Sequence, residues 1–212
     1  MNVLAIDTAS PAPGVSVLAR GAVFEQVLPA DRHASEQLLS AISRCLEKAG
    51  IALAECERIA VCSGPGSFTG LRVGLSTAWG LGRALRLPVE GVSTLEGMAE
   101  AARADAGNRV TAVLDAGRGE VVVESFSLEG SRARSLSPPR RISRDEAAAG
   151  PGLLVCLPGD LLGPQGRAPV SSVSRAVGLS VAGGPRGGVA GGDSLRAIYS
   201  RPSAAEEKRG AS

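Results

Sequence analysis

The spacing of apolar and polar residues changes several times along the chain, and each change marks an element. Residues 2–7, NVLAID, are a short apolar run ending in an acid and a polar turn, the pattern of a buried strand. Residues 14–19, GVSVLA, put Val15, Val17 and Ala19 at every second position, and 22–28, AVFEQVL, suit a third strand. Pro11, Pro13, Gly14 and Gly21 separate these runs, so an antiparallel meander is expected. A helix is expected from Ser35 to Ala49. Leu38, Ile42, Cys45, Leu46 and Ala49 form one stripe there, Leu39 flanks it, and Gly50 stands at the stop. Residues 57–62, ERIAVC, read as a buried strand and lead into the loop SGPGSFTG, 63–70. From Gly70 to Arg86 the period is helical. Gly70, Gly74, Ala78 and Gly82 recur every fourth residue beside a bulky row of Leu71, Leu75 and Trp79. A strand over 87–92 and a helix over 94–103, capped by Ser93, complete this half.

A polar break from Arg103 to Asn108 marks a domain boundary, dividing the chain into an N-terminal lobe over 1–104 and a C-terminal lobe over 105–212. The second part opens with RVTAVLDAG, a strand ending in Asp115, paired as a hairpin with GEVVVESFSL, 119–128. Residues 151–160 read as another strand, whereas 163–193 are rich in Gly, Pro, Ser and Ala and carry no assignable period. LAIDTAS near residue 4 and AVLDAGR near residue 112 share a layout, strand then acid then turn. That weak repeat is the plan of a duplicated α/β domain, the two-lobed actin-like and ribonuclease-H-like arrangement of mixed sheets flanked by helices.

Composition narrows the function classes. Hydrophobic residues make up 44% of the 212, and charged residues 21%, which suits a packed core. Net charge is only +2, so any nucleic-acid footprint is local or shared with a partner. Aromatics are 2%, too few for an autonomous single-strand reader that stacks bases. Cys45, Cys56, Cys62 and Cys156 form no CxxC pair, and His33 is the single histidine, so no structural zinc site is expected. The N-terminal segment lacks a basic leader, and no apolar run approaches the ~20 residues of a membrane span. A cytoplasmic protein with no membrane association is expected.

GPGSFTGLRVG, 64–74, is the strongest motif. A strand, a glycine-rich turn and a helix start can present N–H groups to a phosphate. No Lys-Ser or Lys-Thr follows, so it is not a Walker loop. Asp7, Thr8, Gly64, Gly66, Ser67, Thr69, Gly70 and Asp115 are then the candidates for a vestigial phosphate loop. The competing reading is a tight turn in which glycine supplies positive φ. The small-residue row lets another backbone approach, either the chain's own sheet or a partner subunit. On the partner reading, Leu38, Ile42, Cys45 and Leu46 of the first helix and Gly70, Leu71, Gly74, Leu75, Ala78 and Trp79 of the second are interface candidates. His33 reads as a surface or capping residue, because no nucleophile elbow accompanies it. Arg132, Arg134, Arg140, Arg141 and Arg144 read as a solvated loop or strand edge, with contact to a phosphate backbone as the alternative.

These pieces carry a resemblance. LAIDTAS (4–10), HASEQLL (33–39), SGPGSFTGLRVGLSTAWGLG (63–82), VSTLEGMA (92–99), LDAGRGEVV (114–122) and AIYSRPSAAE (197–206) stand in the order found in the TsaB (YeaZ) family, which the chain resembles over essentially its whole length. The resemblance implies an actin-like fold and a non-catalytic subunit that forms a heterodimer with its paralogue TsaD through N-terminal-lobe helices. It also implies a larger complex with the ATPase TsaE. That complex transfers threonylcarbamoyl from threonylcarbamoyl-AMP to adenosine 37 of transfer RNAs reading ANN codons. The catalytic paralogue holds its metal with two histidines four residues apart on a helix; the matching positions here are Thr94 and Met98. No catalytic residue, metal or cofactor is therefore expected. Other readings are an actin-like ATPase or kinase, a peptidase-type enzyme, or a homodimer when the chain is alone.

Overall fold

The structure is a computed structural model describing residues 1–28, 34–104, 107–150, 152–157, 161–162 and 173–183. Ten strands and five helices lie within these residues. They are β1 (Val3–Asp7), β2 (Gly14–Ala19), β3 (Ala22–Val27), α1 (Ala34–Ala49), β4 (Arg58–Gly64), α2 (Phe68–Leu85), β5 (Val89–Ser93), α3 (Thr94–Ala101), β6 (Arg109–Gly117), β7 (Glu120–Ser127), β8 (Arg134–Ser135), β9 (Arg140–Ser143), α4 (Arg144–Ala148), β10 (Leu154–Leu157) and α5 (Val173–Ala182).

The first sheet has the order β3-β2-β1-β4-β5. Its β1–β2–β3 part is the antiparallel meander expected from the alternating valines, while β4 runs parallel to both β1 and β5. The second sheet runs β10-β6-β7-β8, with β9 also paired to β7. Two mixed sheets flanked by helices agree with the α/β class expected from the sequence.

Alternation along the strands assigns each sheet face to a helix layer. Leu4, Ile6, Val15, Val17, Ile59, Val61 and Val89 meet Leu38, Ile42, Cys45 and Leu46 of α1 and Ala78 of α2. Val3, Ala5, Ala60, Cys62 and Val92 turn to the other face, against Leu95 and Met98 of α3 and Val173, Val177 and Val181 of α5. That cluster continues into the second sheet through Val110, Ala112, Leu114, Val122 and Phe126. The order of layers is helices, sheet, helices, sheet, with α4 over the far side of the second sheet beside Val113, Val121 and Cys156. Arg103 ties α3 to the end of β7, pairing with Glu100 at 2.8 Å and donating to the Leu128 carbonyl at 2.6 Å.

The helix α5 falls where no period was assigned. Its Val173, Ser174, Ala176, Val177, Gly178, Ser180 and Val181 are all buried, so it is covered on most of its surface and only the narrow Arg175–Leu179 stripe is exposed. The Ser16 hydroxyl donates to the Ser174 carbonyl at 2.7 Å, and the Ser174 and Ser180 hydroxyls donate to Glu25 and Glu96. These bonds satisfy polar groups that would otherwise oppose burial. A Cβ on Gly97 would stand 2.8 Å from a Val173 methyl, so that glycine sets the approach of α3 to α5. In the basic stretch expected as solvated loop or strand edge, Arg134, Arg140 and Arg141 stand on the short strands β8 and β9, paired with β7 at the edge of the second sheet. The hairpin between β6 and β7 turns through Gly117, Arg118 and Gly119, all at positive φ. His33, most of the Gly-rich 183–192 stretch and the C-terminal AIYSRPSAAE motif lie outside the described residues.

Candidate functional site

The end of β1 and the start of α2 meet at the glycine motif. Asp7 is fully buried there. One carboxylate oxygen accepts from the Ala9 and Ser10 backbone N–H groups at 2.9 and 3.1 Å, and the other accepts from the Ser10 hydroxyl at 2.5 Å. Burial raises its carboxyl above the usual value, while the Ser10 and Ala9 donors pull it back. The neighbouring Cys62 thiol is pushed well up by burial and by the Asp7 charge.

The glycine loop is filled by the chain itself. Ser67 caps α2, its hydroxyl accepting from the Gly70 N–H at 3.2 Å, and its own N–H donates to the Ala9 carbonyl at 2.8 Å. A Cβ on Gly66 or Gly70 would overlap the carbonyl of Ala9 or Thr8, and one on Gly74 would overlap the Thr8 hydroxyl. Close backbone approach explains these glycines, and Gly64 alone among Gly64, Gly66 and Gly70 has positive φ. The N–H groups of Ser67 and Gly70, donors that a phosphate would need, already have partners within the chain. Thr69 stands on the first turn of α2, which begins two residues earlier than the sequence period suggests. Asp115 sits on the second sheet, accepting from the Gly117 N–H and from Arg144 at 3.0 Å, and is not part of the Asp7 cluster.

The interface candidates divide. Leu38, Ile42, Cys45 and Leu46 of α1 and Leu71, Gly74 and Ala78 of α2 are buried against the chain's own first sheet. Of the two readings of the small-residue row, packing on the own sheet is the one realised in this chain. What α2 turns outward is different. Phe68 is 39% exposed and Trp79 48% exposed. The Arg72 guanidinium lies 3.9 Å over the Phe68 ring and that of Arg83 lies 5.8 Å over Trp79. The rows Phe68–Arg72 and Trp79–Arg83 have the i, i+4 spacing that would have betrayed them in the sequence. Beside this face an open groove of about 350 Å³ runs between α1 and α2, lined by Leu39, Ile42, Ser43, Leu46, Ile51 and Leu81 among others.

Thr94 and Met98 are both fully buried in the core. The Thr94 hydroxyl points at the Cys62 sulfur, 3.9 Å away, and Met98 packs with Leu95 and Val92. A neutral hydroxyl and a thioether in an apolar core do not fit a hard metal ion. Among the described residues no group of three or more His, Cys, Asp or Glu is placed to hold a metal ion. No described helix is long and apolar enough to cross a membrane.

Comparison with known proteins agrees with this architecture. Residues 27–151 match the family model described as TsaD, tRNA N6-adenosine threonylcarbamoyltransferase. The tRNA threonylcarbamoyladenosine biosynthesis protein TsaB of Escherichia coli is 39% identical over 122 residues, 57% of this chain and 53% of that one. The protein of the same name from Haemophilus influenzae is 37% identical over 134 residues, 63% of this chain and 57% of that one. The chain thus spans a little over half the length of these curated relatives. YeaZ from Pseudomonas aeruginosa superposes with a TM-score of 0.76 at 28% identity, covering 93% of this chain and 99% of that one. With more than half of its residues matched by that family model, and with relatives that carry the TsaB and YeaZ names, the chain belongs to the TsaD-type family, in its TsaB (YeaZ) branch.

Proposed function

We propose that the chain is a non-catalytic subunit that binds and activates a TsaD-type catalytic subunit. In that complex threonylcarbamoyl passes from threonylcarbamoyl-AMP to an adenosine of transfer RNA. The observation that carries this reading is the burial of Thr94 and Met98. Where the catalytic paralogue is expected to present metal ligands, this chain has two side chains of its own apolar core. The relatives named as threonylcarbamoyladenosine biosynthesis proteins support the same assignment.

The N-terminal lobe, residues 1–104, supplies the partner surface in this proposal. Exposed aromatic and arginine side chains on one helix face are the groups enriched at binding hot spots. In a chain with five aromatic residues, two of them, Phe68 and Trp79, stand exposed on α2. The apolar groove beside Leu39 and Leu81 extends that face toward α1. A TsaE-type ATPase and transfer RNA join through the complex, and self-association through the same face is what the free chain does without its partner.

The test is threonylcarbamoyladenosine formation on transfer RNA with the other components fixed and this chain added or omitted. Activity that requires the chain and persists with Asp7→Ala supports an activating scaffold. Activity indifferent to the chain discards the proposal.

A further inference from the structure

The alternation of β6 and β7 sends Val110, Ala112, Leu114, Val122 and Phe126 inward. The opposite positions form the outer face of the second sheet. Toward β10 and α4 this outer face is apolar, built on Val113, Val121, Val123 and Cys156. Toward the other end it changes character. Arg109 lies opposite Ser127, and Ser127 lies opposite Arg134, so both arginines flank one serine across β7. Arg140 lies opposite Val123, four residues along the same strand and on the same face. Between them the Thr111 and Ser125 hydroxyls are hydrogen-bonded to each other at 2.9 Å.

All three arginines are exposed. Among the described residues none of them has an ion-pair partner, in contrast to Arg141 with Glu120 and Arg144 with Asp115. Asp115, the acid at the outward position farthest along β6, is the one held by Arg144. A chain of net charge +2 therefore collects, on one end of one sheet, three guanidinium groups without an ion-pair partner among the described residues.

Strand spacing sets their layout. Arg109 and Arg134 stand two strand spacings apart, ~10 Å, and Arg134 and Arg140 stand about four strand residues apart, ~13 Å. Groups spread in this way suit successive charges on a polymer better than a single small anion. Guanidinium forks match phosphate oxygens, and the hydroxyl pair offers donors and acceptors to a sugar edge. Among the described residues no aromatic side chain lies on the face, so these groups can hold a backbone but not stack a base.

We propose that this outer face, through Arg109, Arg134 and Arg140, is a sequence-independent contact for the phosphodiester backbone of RNA. The identification of that RNA as transfer RNA rests on the function proposed above.

The experiment is filter binding of labelled bulk transfer RNA to the full chain between 50 and 200 mM KCl. Three phosphate contacts predict that affinity falls about 20- to 40-fold over this range. The Arg134→Gln/Arg140→Gln variant should bind more weakly, with the slope of log affinity against log salt shallower by about one for each arginine removed. Arg20→Gln, on the β2–β3 turn, should leave the slope unchanged. Far-ultraviolet circular dichroism and urea midpoints like those of the wild type would show that the variants fold. An unaltered slope in the double variant, an equal effect of Arg20→Gln, or equal displacement by polyglutamate at matched charge would each overturn the proposal. The binding readout needs no catalysis. Loss of the arginine effect in a chain that still stimulates modification sinks this inference alone. An intact arginine effect in a chain that stimulates nothing sinks the proposed function alone.

Discussion

The Thr8 hydroxyl donates to the Gly70 carbonyl across 2.6 Å, tying the end of β1 to the first turn of α2. The two residues are 62 positions apart in sequence, and the contact exists because Gly70 has no side chain to hold the strand end away. Gly70→Ala would press a methyl into the Thr8 carbonyl, where backbone cannot yield. The expected loss is about 1–3 kcal/mol or more. Gly80, on the same helix, has nothing within 4 Å of its Cβ position, and Gly80→Ala should stabilise by about 0.5–1 kcal/mol. Urea unfolding of both variants should move the midpoint in opposite directions, and a shift of the same sign would refute this account of the glycine row.

The outward face of α2 makes a separable prediction. Trp79 is half exposed, so Trp79→Ala should change the stability of the free chain by less than about 0.5 kcal/mol. Binding to the TsaD-type partner should weaken by about 2 kcal/mol or more, roughly 30-fold. Calorimetric titration of the partner checks this. Undiminished affinity would move the interface elsewhere. Gly74 is unsuited to such a probe, because any side chain there would collide with Thr8 inside the chain.

Asp7 should leave a signature in the pH dependence of stability. Its buried carboxyl is raised above the usual 3.8, so the folded chain holds the proton more tightly than the unfolded chain does. Stability is therefore favoured at and below the ordinary value, and falls as pH rises through the folded-state value. In Asp7→Asn the amide oxygen keeps the Ala9 and Ser10 donors, and its NH₂ donates to the Ser10 hydroxyl. Urea midpoints of this variant should decline less between pH 4 and pH 7 than those of the wild type. Some decline remains, since burial also raises Glu25 and Glu124. Parallel curves for the two proteins would contradict this role for Asp7.

Arg58 and Glu90 pair at 3.0 Å on β4 and β5, yet the Arg58 Nε and one Glu90 carboxylate oxygen have no hydrogen-bond partner among the described residues. A half-satisfied buried pair is vulnerable to loss of one member. Arg58→Met alone should destabilise by about 3–5 kcal/mol, because Glu90 would stay buried and uncompensated. Adding Glu90→Met should recover most of that loss. If thermal unfolding showed the two substitutions to be additive, the pair would not be coupled.

The cysteines should be silent in the native state. All four are buried, and burial pushes the Cys45, Cys56 and Cys156 thiols up to about 11. At pH 8 the chain should react with a thiol reagent such as 5,5′-dithiobis(2-nitrobenzoate) only after unfolding in urea. Rapid reaction of one thiol without urea would show a route to the core that the structure lacks.

The N-terminal half was readable because its signals are local. Val15 and Val17 alternate, Gly50 stops α1 at positive φ, and the acid and turn after β1 fix the strand end. The helix α5 was not. Ser174, Gly178 and Ser180 dilute its apolar count, and the glutamates that receive its serine hydroxyls lie 149 and 84 residues away. The glycine motif was legible as a motif but not as to its occupant, since nothing near residue 70 announces the Thr8 carbonyl. Residues 134–143 read equally as solvated loop or strand edge, because two- and four-residue strands carry too few positions to display a period.

The path of the chain through α5 also bears on how the protein is made. One face of the first sheet is covered only in part by α3, and Ala5 and Ser16 wait for residues 173–182, 158 positions after the latter was laid down. A nascent chain emerging from the ribosome therefore carries a partly uncovered apolar sheet for most of its synthesis. Such long-range closure is slow and exposes the intermediate to aggregation. A helix made late, α5, is the one that lets the first strands settle.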